Sequence, residues 1–206
     1  PVFIYCEDAR DPARVLEPRS IQFVITSPPY PNEKDYTRTT RLESVLLGFV
    51  KNKAELRELK RRLIRSNTRN VFRDDDDAVW VEKFESIQKL AKEVEARRVA
   101  LGKTSGFERL YHLVVRHYFG GMARHFANLR QALKKGAKLA YVVGDQASYL
   151  RVMIRTSHLI AEIADYFGYR VDGIELFRTR LATATRTALR EEIVWLTWTG
   201  KERSCG

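Results

Sequence analysis

Apolar, largely β-branched residues run together at Val2–Tyr5 and Ile21–Thr26, with little polar alternation. Such runs are typical of short strands buried on both faces of a parallel sheet. From Arg41 to about Lys135 the spacing becomes helical. Leu42, Val45, Leu46 and Phe49 form one apolar stripe, and Phe84, Ile87, Leu90, Ala91 and Val94 form another. Leu110, Leu113, Val114 and His117 lead into a third helix through Met122, Phe126, Leu129 and Leu133. Lys134-Lys135-Gly136 has the form of a helix stop, with cations in the last turn and glycine just beyond. Leu139–Val143 predicts a strand, Gly144-Asp145 a turn, and Ser157–Phe167 an amphipathic helix ending at Gly168. Arg170–Arg178 and Glu192–Trp198 predict two more strands.

This order predicts an α/β fold whose last two strands form an antiparallel hairpin at the sheet edge. The segment of roughly 41–110 is too long for a simple crossover and reads as a helical insertion. Residues 1–40 and 111–200 would then form the main domain, with 201–206 as a tail. The chain opens at Pro1, directly in a strand-like stretch, which suggests a trimmed chain or part of something longer.

Composition narrows the class. At 44% hydrophobic and 11% aromatic, the 206 residues can build a real core, which excludes wholesale disorder. No apolar run approaches the roughly 20 residues of a membrane span, and no signal-peptide pattern opens the chain. Cys6 and Cys205 are the two cysteines, too few for a disulfide framework or a cysteine-rich zinc site, so a cytoplasmic setting is expected. The net charge of +11 favours a polyanionic partner.

That charge is not evenly spread. Residues 41–73 hold ten basic and three acidic groups, and residues 111–206 hold fifteen and eight. Lys51, Lys53, Arg57, Lys60, Arg61, Arg62 and Arg65 cover most faces of one helix, which is either a solvated surface or a phosphate-contacting one. The run Asp74-Asp75-Asp76-Asp77 reads as solvated. Arg178, Arg180, Arg186 and Arg190 lie among threonines and suit phosphates or a solvated edge loop equally. His112, His117 and His125 do not share a helix face as metal ligands would, and read as packing or surface residues. Asp145 fits either a pocket wall or a turn.

The most informative residues are Thr26-Ser27-Pro28-Pro29-Tyr30, directly after the strand that ends at Thr26. Ligands of open α/β sheets bind at the carboxyl ends of strands. Two prolines there fix φ twice and remove two backbone donors. The turn presents carbonyls, a hydroxyl and an aromatic face, which suits a planar ligand with an amino group. An ordinary proline turn with Tyr30 packed inward is the alternative.

Ser27-Pro28-Pro29-Tyr30 resembles the catalytic motif of S-adenosylmethionine-dependent DNA amino-methyltransferases. The Thr-Ser-Pro-Pro-Tyr form looks most like the cytosine-N4 members, whereas adenine-N6 enzymes more often carry Asp or Asn in place of Ser27. Pro31-Asn32, Asp35-Tyr36-Thr37-Arg38, Leu139–Asp145, the helix around Ile160–Gly168 and Leu189–Val194 continue the likeness. It covers about residues 1–49 and 111–199. The resemblance implies a Rossmann-like methyltransferase sheet, S-adenosylmethionine as cofactor and DNA as substrate. It implies catalytic roles for Ser27, Pro28, Pro29 and Tyr30 and cofactor contacts at Asp8, Ala9, Thr26 and Ser27. The charge pattern, rather than the resemblance, makes Lys60, Arg61, Arg62, Arg180 and Arg186 the candidate DNA contacts. Adenine-N6 methylation and a non-catalytic nucleic-acid-binding subunit are the alternatives.

The likeness has one departure. The family's glycine-rich cofactor turn is absent: Gly102, Gly106, Gly120, Gly121 and Gly136 lie beside helices rather than after a buried strand. An upstream segment or a companion chain is expected to supply it, pairing with one side of Val2–Tyr5. The 206 residues alone are expected to bind the cofactor weakly.

Overall fold

The computed structural model describes residues 1–32, 34–181 and 188–201. Its strands are β1 (Ile21–Thr26), β2 (Leu133–Gly144), β3 (Tyr169–Leu181) and β4 (Ala188–Trp198), arranged β1-β2-β4-β3 in one mixed sheet. β1 lies parallel to β2, with Thr26 opposite Tyr141, so both strands end on the same side. β4 is antiparallel to both β2 and β3, and β3 forms the outer edge of the expected hairpin.

The helices are α1 (Tyr36–Thr39), α2 (Arg41–Leu46), α3 (Lys53–Arg61), α4 (Glu85–Ala100), α5 (Tyr111–Leu129) and α6 (Thr156–Tyr166). Long α5 is the hub. Val114, Val115, Tyr118, Phe119, Met122 and Phe126 join Ile87, Leu90 and Val94 of α4, Ile160 and Ile163 of α6, and Leu139, Tyr141, Val143, Val194 and Leu196 of the sheet. The stretch read as an insertion therefore shares one core with the rest of the chain. Each such side chain contributes about 1.5–3 kcal/mol by leaving water. Gly120 permits the tightest contact: a Cβ there would sit 1.9 Å from the Asp77 carbonyl oxygen. The glycine lets the turn Asp77–Val81 lie directly on α5.

Three expectations are corrected. Val2–Tyr5 forms no strand: Val2 and Ile4 are 90% and 92% exposed, and the segment pairs with none of the four strands among the described residues. Lys134-Lys135-Gly136 does not stop a helix: α5 ends at Leu129, and these residues form a bulge early in β2, with Gly136 at φ 85°. The acidic run is not uniformly solvated. Asp77 is buried against Arg10 and the side chain of half-buried Asp75 is enclosed by Arg65, whereas Asp74 and Asp76 face outward.

β1 carries no strand on its other side among the described residues. No helix among them is long and apolar enough to cross a membrane.

Candidate active site

The loop after β1 leaves the sheet beside the end of β2, and its stiffness comes from Pro28, Pro29 and Pro31. It is tied down where the Asn32 N–H donates to the Ser66 carbonyl at 3.2 Å. Tyr30 turns its ring onto Gly144, the last residue of β2. A Cβ at Gly144 would lie 3.0 Å from Tyr30 Cε2 and 3.2 Å from Glu191 Cγ, so glycine makes room for the ring. Burial pushes the Tyr30 phenol up, Glu191 adds to the rise, and a hydrogen bond with Ser27 opposes it. Ser27 itself is exposed.

A cleft of about 330 Å³ opens beside this loop. Glu7, Ala9, Ser27 and Pro29 line one part; Leu63, Ile64, Ser66 and Asn70 of the inserted segment line another, with Tyr36 and Arg62. The structure thus brings Ala9, Ser27 and Pro29 together. Asp8, Thr26, Pro28 and Tyr30 are not among the lining residues.

Asp8 is instead committed to Arg10. Its Oδ1 accepts from the Arg10 N–H at 2.9 Å and from Nε at 3.0 Å, and its Oδ2 accepts from Nη2 at 2.6 Å. Burial opposes ionisation of Asp8, but the Arg10 hydrogen bonds and charge win and hold its carboxyl below the usual range. Arg10 also donates to Asp77 at 2.7 Å and to the Arg61 carbonyl at 2.6 Å. One guanidinium therefore joins the segment before β1 to α3 and to the turn packed on α5.

His125 and Asn128 of α5 hold the same segment. Asn128 Nδ2 donates to the Arg10 carbonyl at 2.8 Å, and His125 bridges the Ala9 carbonyl through Nδ1 and the Tyr141 hydroxyl through Nε2. The carbonyl can only accept, so Nδ1 carries the proton and Tyr141 donates to Nε2. Burial pushes the His125 imidazole down, opposed by its bond to Ala9; burial also lowers His117. For such groups the unfolded chain takes up protons first, so stability is complete above about pH 6.5 and falls as pH drops towards the folded value. We expect the urea midpoint to decline from pH 7 to pH 5, and His125→Gln to remove part of that slope. An unchanged slope in the variant would contradict this role for His125.

The basic residues expected to contact DNA are mostly engaged within the chain. Lys60 Nζ pairs with Asp35 at 2.9 Å, Arg61 Nη1 with Asp74 at 2.7 Å, and Arg62 Nη2 with the Cys6 carbonyl at 2.7 Å. Arg180 lies 3.4 Å from Glu191, and Arg186 lies outside the described residues. Lys51, Lys53 and Arg57 are exposed, and no ion pair engages them among the described residues. Asp145 is buried, pairs with Arg155 and donates its N–H to the Arg190 carbonyl at 2.8 Å.

Sequence reasoning missed the contribution of residues 63–70. The available signal was the polar string Ser66–Asn70 between apolar Ile64 and Val71, where Asn67 Oδ1 caps the Arg69 N–H at 3.0 Å.

Comparison with known proteins finds relatives over most of the chain. Over 189 residues the chain is 28% identical to the type II methyltransferase M.AvaI of a Nostoc species and to its counterpart in Anabaena variabilis. It is 29% identical over 195 residues to the type II methyltransferase M.BsoBI of Geobacillus stearothermophilus. The chain is similar to type II methyltransferases. Each match covers 84% of this chain and 37% of the relative, so the chain spans little more than a third of the length of those proteins. No protein-family model and no solved structure matches it.

Proposed function

We propose that these residues form part of a Rossmann-like DNA methyltransferase that uses S-adenosylmethionine to methylate the exocyclic N4 of cytosine. The observation that carries this reading is the Thr26–Tyr30 loop at the carboxyl end of β1, opening into a cleft shared with Ala9. The cleft offers acceptors for the cofactor's amino group: the Glu7 carboxylate, which Arg62 meets at 3.5 Å, stands with the neutral acceptor of Ser27. Glu7, Ala9 and Ser27 would hold the cofactor, which supplies an electrophilic methyl group when bound.

The chain's own task is to activate a poor nucleophile, since the amino lone pair of cytosine is delocalised into the ring. Ser27 Oγ and the Pro28 carbonyl accept hydrogen bonds from the amino group and localise that pair on nitrogen. A new N–C bond then forms as the methyl's bond to sulfur breaks, and the surplus amino proton leaves to solvent. Positioning and preorganised acceptors carry the rate. The target base must be extruded from the duplex at a cost of a few kcal/mol, and stacking on Tyr30 offsets about 1–3 kcal/mol.

A companion segment or chain carrying a glycine-rich turn is part of this proposal, and the unpaired side of β1 is where it would add strands. The test of the base-flipping reading is Tyr30→Ala. Methyl transfer to a fully paired site should fall about tenfold to a hundredfold, and a mismatched target base should restore part of it. Equal losses on both substrates would count against stacking.

Phosphate contact is assigned first to Lys51, Lys53 and Arg57, since Lys60, Arg61 and Arg62 would have to exchange carboxylates for phosphates. Replacing Lys53 and Arg57 by alanine should weaken binding to all sequences alike and flatten the salt slope by about one unit per lost contact. Retained affinity and slope would leave α3 as scaffold.

A further inference from the structure

The cleft contains one polar group that the fold does not use. Asn70 is 2% exposed and lines the cleft with Ser27 and Pro29. Its backbone N–H donates to the Asn67 carbonyl at 3.2 Å. Its Oδ1 is out of solvent and finds no donor among the described residues. The Asn67 side chain and the Ser66 carbonyl beside it are engaged in the fold. Asn67 Oδ1 accepts from the Arg69 N–H at 3.0 Å and its Nδ2 donates to the Lys34 carbonyl at 3.3 Å. The Ser66 carbonyl accepts from Asn32 and, at 3.0 Å, from the Tyr149 hydroxyl. The turn is thus pinned to the loop that carries Ser27, while the Asn70 carboxamide is left open. A buried acceptor without a donor calls for an explanation, and a ligand that brings the donor is one.

We propose that Asn70 is a specificity-determining residue that reads the edge of the extruded base. Its Oδ1 accepts one amino N–H, and its Nδ2 donates to the unprotonated ring nitrogen next to that amino group. A carboxamide matches this donor–acceptor pair in a bidentate way. Ser27 Oγ and the Pro28 carbonyl then hold the other amino hydrogen. A thymine in the same place would turn its carbonyl oxygen towards Asn70 Oδ1 and the Pro28 carbonyl, acceptor facing acceptor, and its ring N–H towards Nδ2, donor facing donor. The inference rests on the methyltransferase reading. The same edge occurs on cytosine, on adenine and on the adenine ring of the cofactor, so the test separates these sources.

The experiment follows the side-chain amide signals of Asn70 in the ¹⁵N-labelled protein, assigned with Asn70→Asp. The probes are deoxycytidine monophosphate, deoxyadenosine monophosphate, thymidine monophosphate and S-adenosylhomocysteine. The Asn70 signals should shift saturably with the deoxycytidine nucleotide and not with the thymidine one. Asn70→Asp, which keeps the shape but exchanges the donor for an acceptor, should weaken deoxycytidine monophosphate binding about tenfold to a hundredfold. A stronger response to the deoxyadenosine nucleotide would keep the edge reading and make adenine the target. No shift with either nucleotide, an equal shift with thymidine monophosphate, or a shift with S-adenosylhomocysteine alone would overturn the proposal. Methyl transfer is scored separately on the same protein. Transfer with silent Asn70 signals would sink this inference alone, and selective Asn70 shifts without any transfer would sink the enzymatic reading alone.

Discussion

Ser27→Ala is expected to lower methyl transfer by about 10²–10³-fold while leaving DNA affinity within about twofold. The hydroxyl projects from an exposed position at the end of β1, so its loss disturbs no core packing. Its proposed work lies in the transition state, where the amino nitrogen gives up conjugation with the ring and its hydrogens are held by fixed acceptors. Losing one preorganised contact of that kind costs about 2.7–4 kcal/mol of barrier. The effect should therefore appear in kcat, with KM for DNA little changed, because an interaction made only in the transition state alters the rate and not the ground-state complex. Ser27→Asp and Ser27→Asn should retain more activity than Ser27→Ala, since both keep an acceptor. Wild-type turnover by Ser27→Ala would remove Ser27 from the chemistry.

The second large effect is structural. Asp77→Ala should destabilise the protein by about 3–5 kcal/mol, whereas Asp74→Ala and Asp76→Ala should each stay within about 0.5 kcal/mol. Asp77 is fully buried, pairs with Arg10 at 2.7 Å and stands 3.5 Å from Arg124. Removing it leaves the buried Arg10 guanidinium with Asp8 as its remaining carboxylate. The loss also reaches the site, because Arg10 anchors the segment that brings Glu7 and Ala9 to the cleft. Urea denaturation of the three variants measures this directly. Equal, small effects at all three positions would mean that the acidic run is solvated after all.

The contrast among these four adjacent aspartates shows where sequence reading stops. Ile21–Thr26 and Leu139–Val143 were legible as strands because β-branched runs favour a sheet. The burial expected on both faces of Ile21–Thr26 does not occur: β1 is an edge strand among the described residues, with Phe23 50% and Ile25 74% exposed. The stripe through Phe84–Val94 was legible because helical spacing commits one face to a core. Val2–Tyr5 has the same local chemistry as β1 yet forms no strand, since a ladder needs a neighbour that local chemistry does not supply. Asp75 and Asp77 are indistinguishable in sequence from Asp74 and Asp76. Their burial depends on Arg65, ten residues away, and on Arg10, 67 residues away. Likewise the surplus charge of residues 41–73 reads as a free basic surface until Lys60, Arg61 and Arg65 are seen against Asp35, Asp74 and Asp75.

The candidate site divides the same way. The place of Ser27–Tyr30 in a stiff loop directly after a strand was legible because two consecutive prolines leave few conformations open. Asn70 was not legible. A polar residue in a short turn is ordinarily solvated, and its burial here comes from the docking of residues 63–70 between the loop after β1 and Tyr149. The assignment of Asp8 to the cofactor came from resemblance alone, and its carboxylate proves to be taken up by Arg10.

The most direct measurement is the identity of the methylated nucleoside. Unmethylated DNA is incubated with methyl-labelled S-adenosylmethionine and the protein, together with the segment or chain that carries the glycine-rich turn. The DNA is then digested to nucleosides and separated by mass. The account predicts label in N4-methyldeoxycytidine, abolished by Ser27→Ala. Label in N6-methyldeoxyadenosine would overturn the cytosine assignment, and label in neither nucleoside would contradict the account of this site as a place of amino methylation.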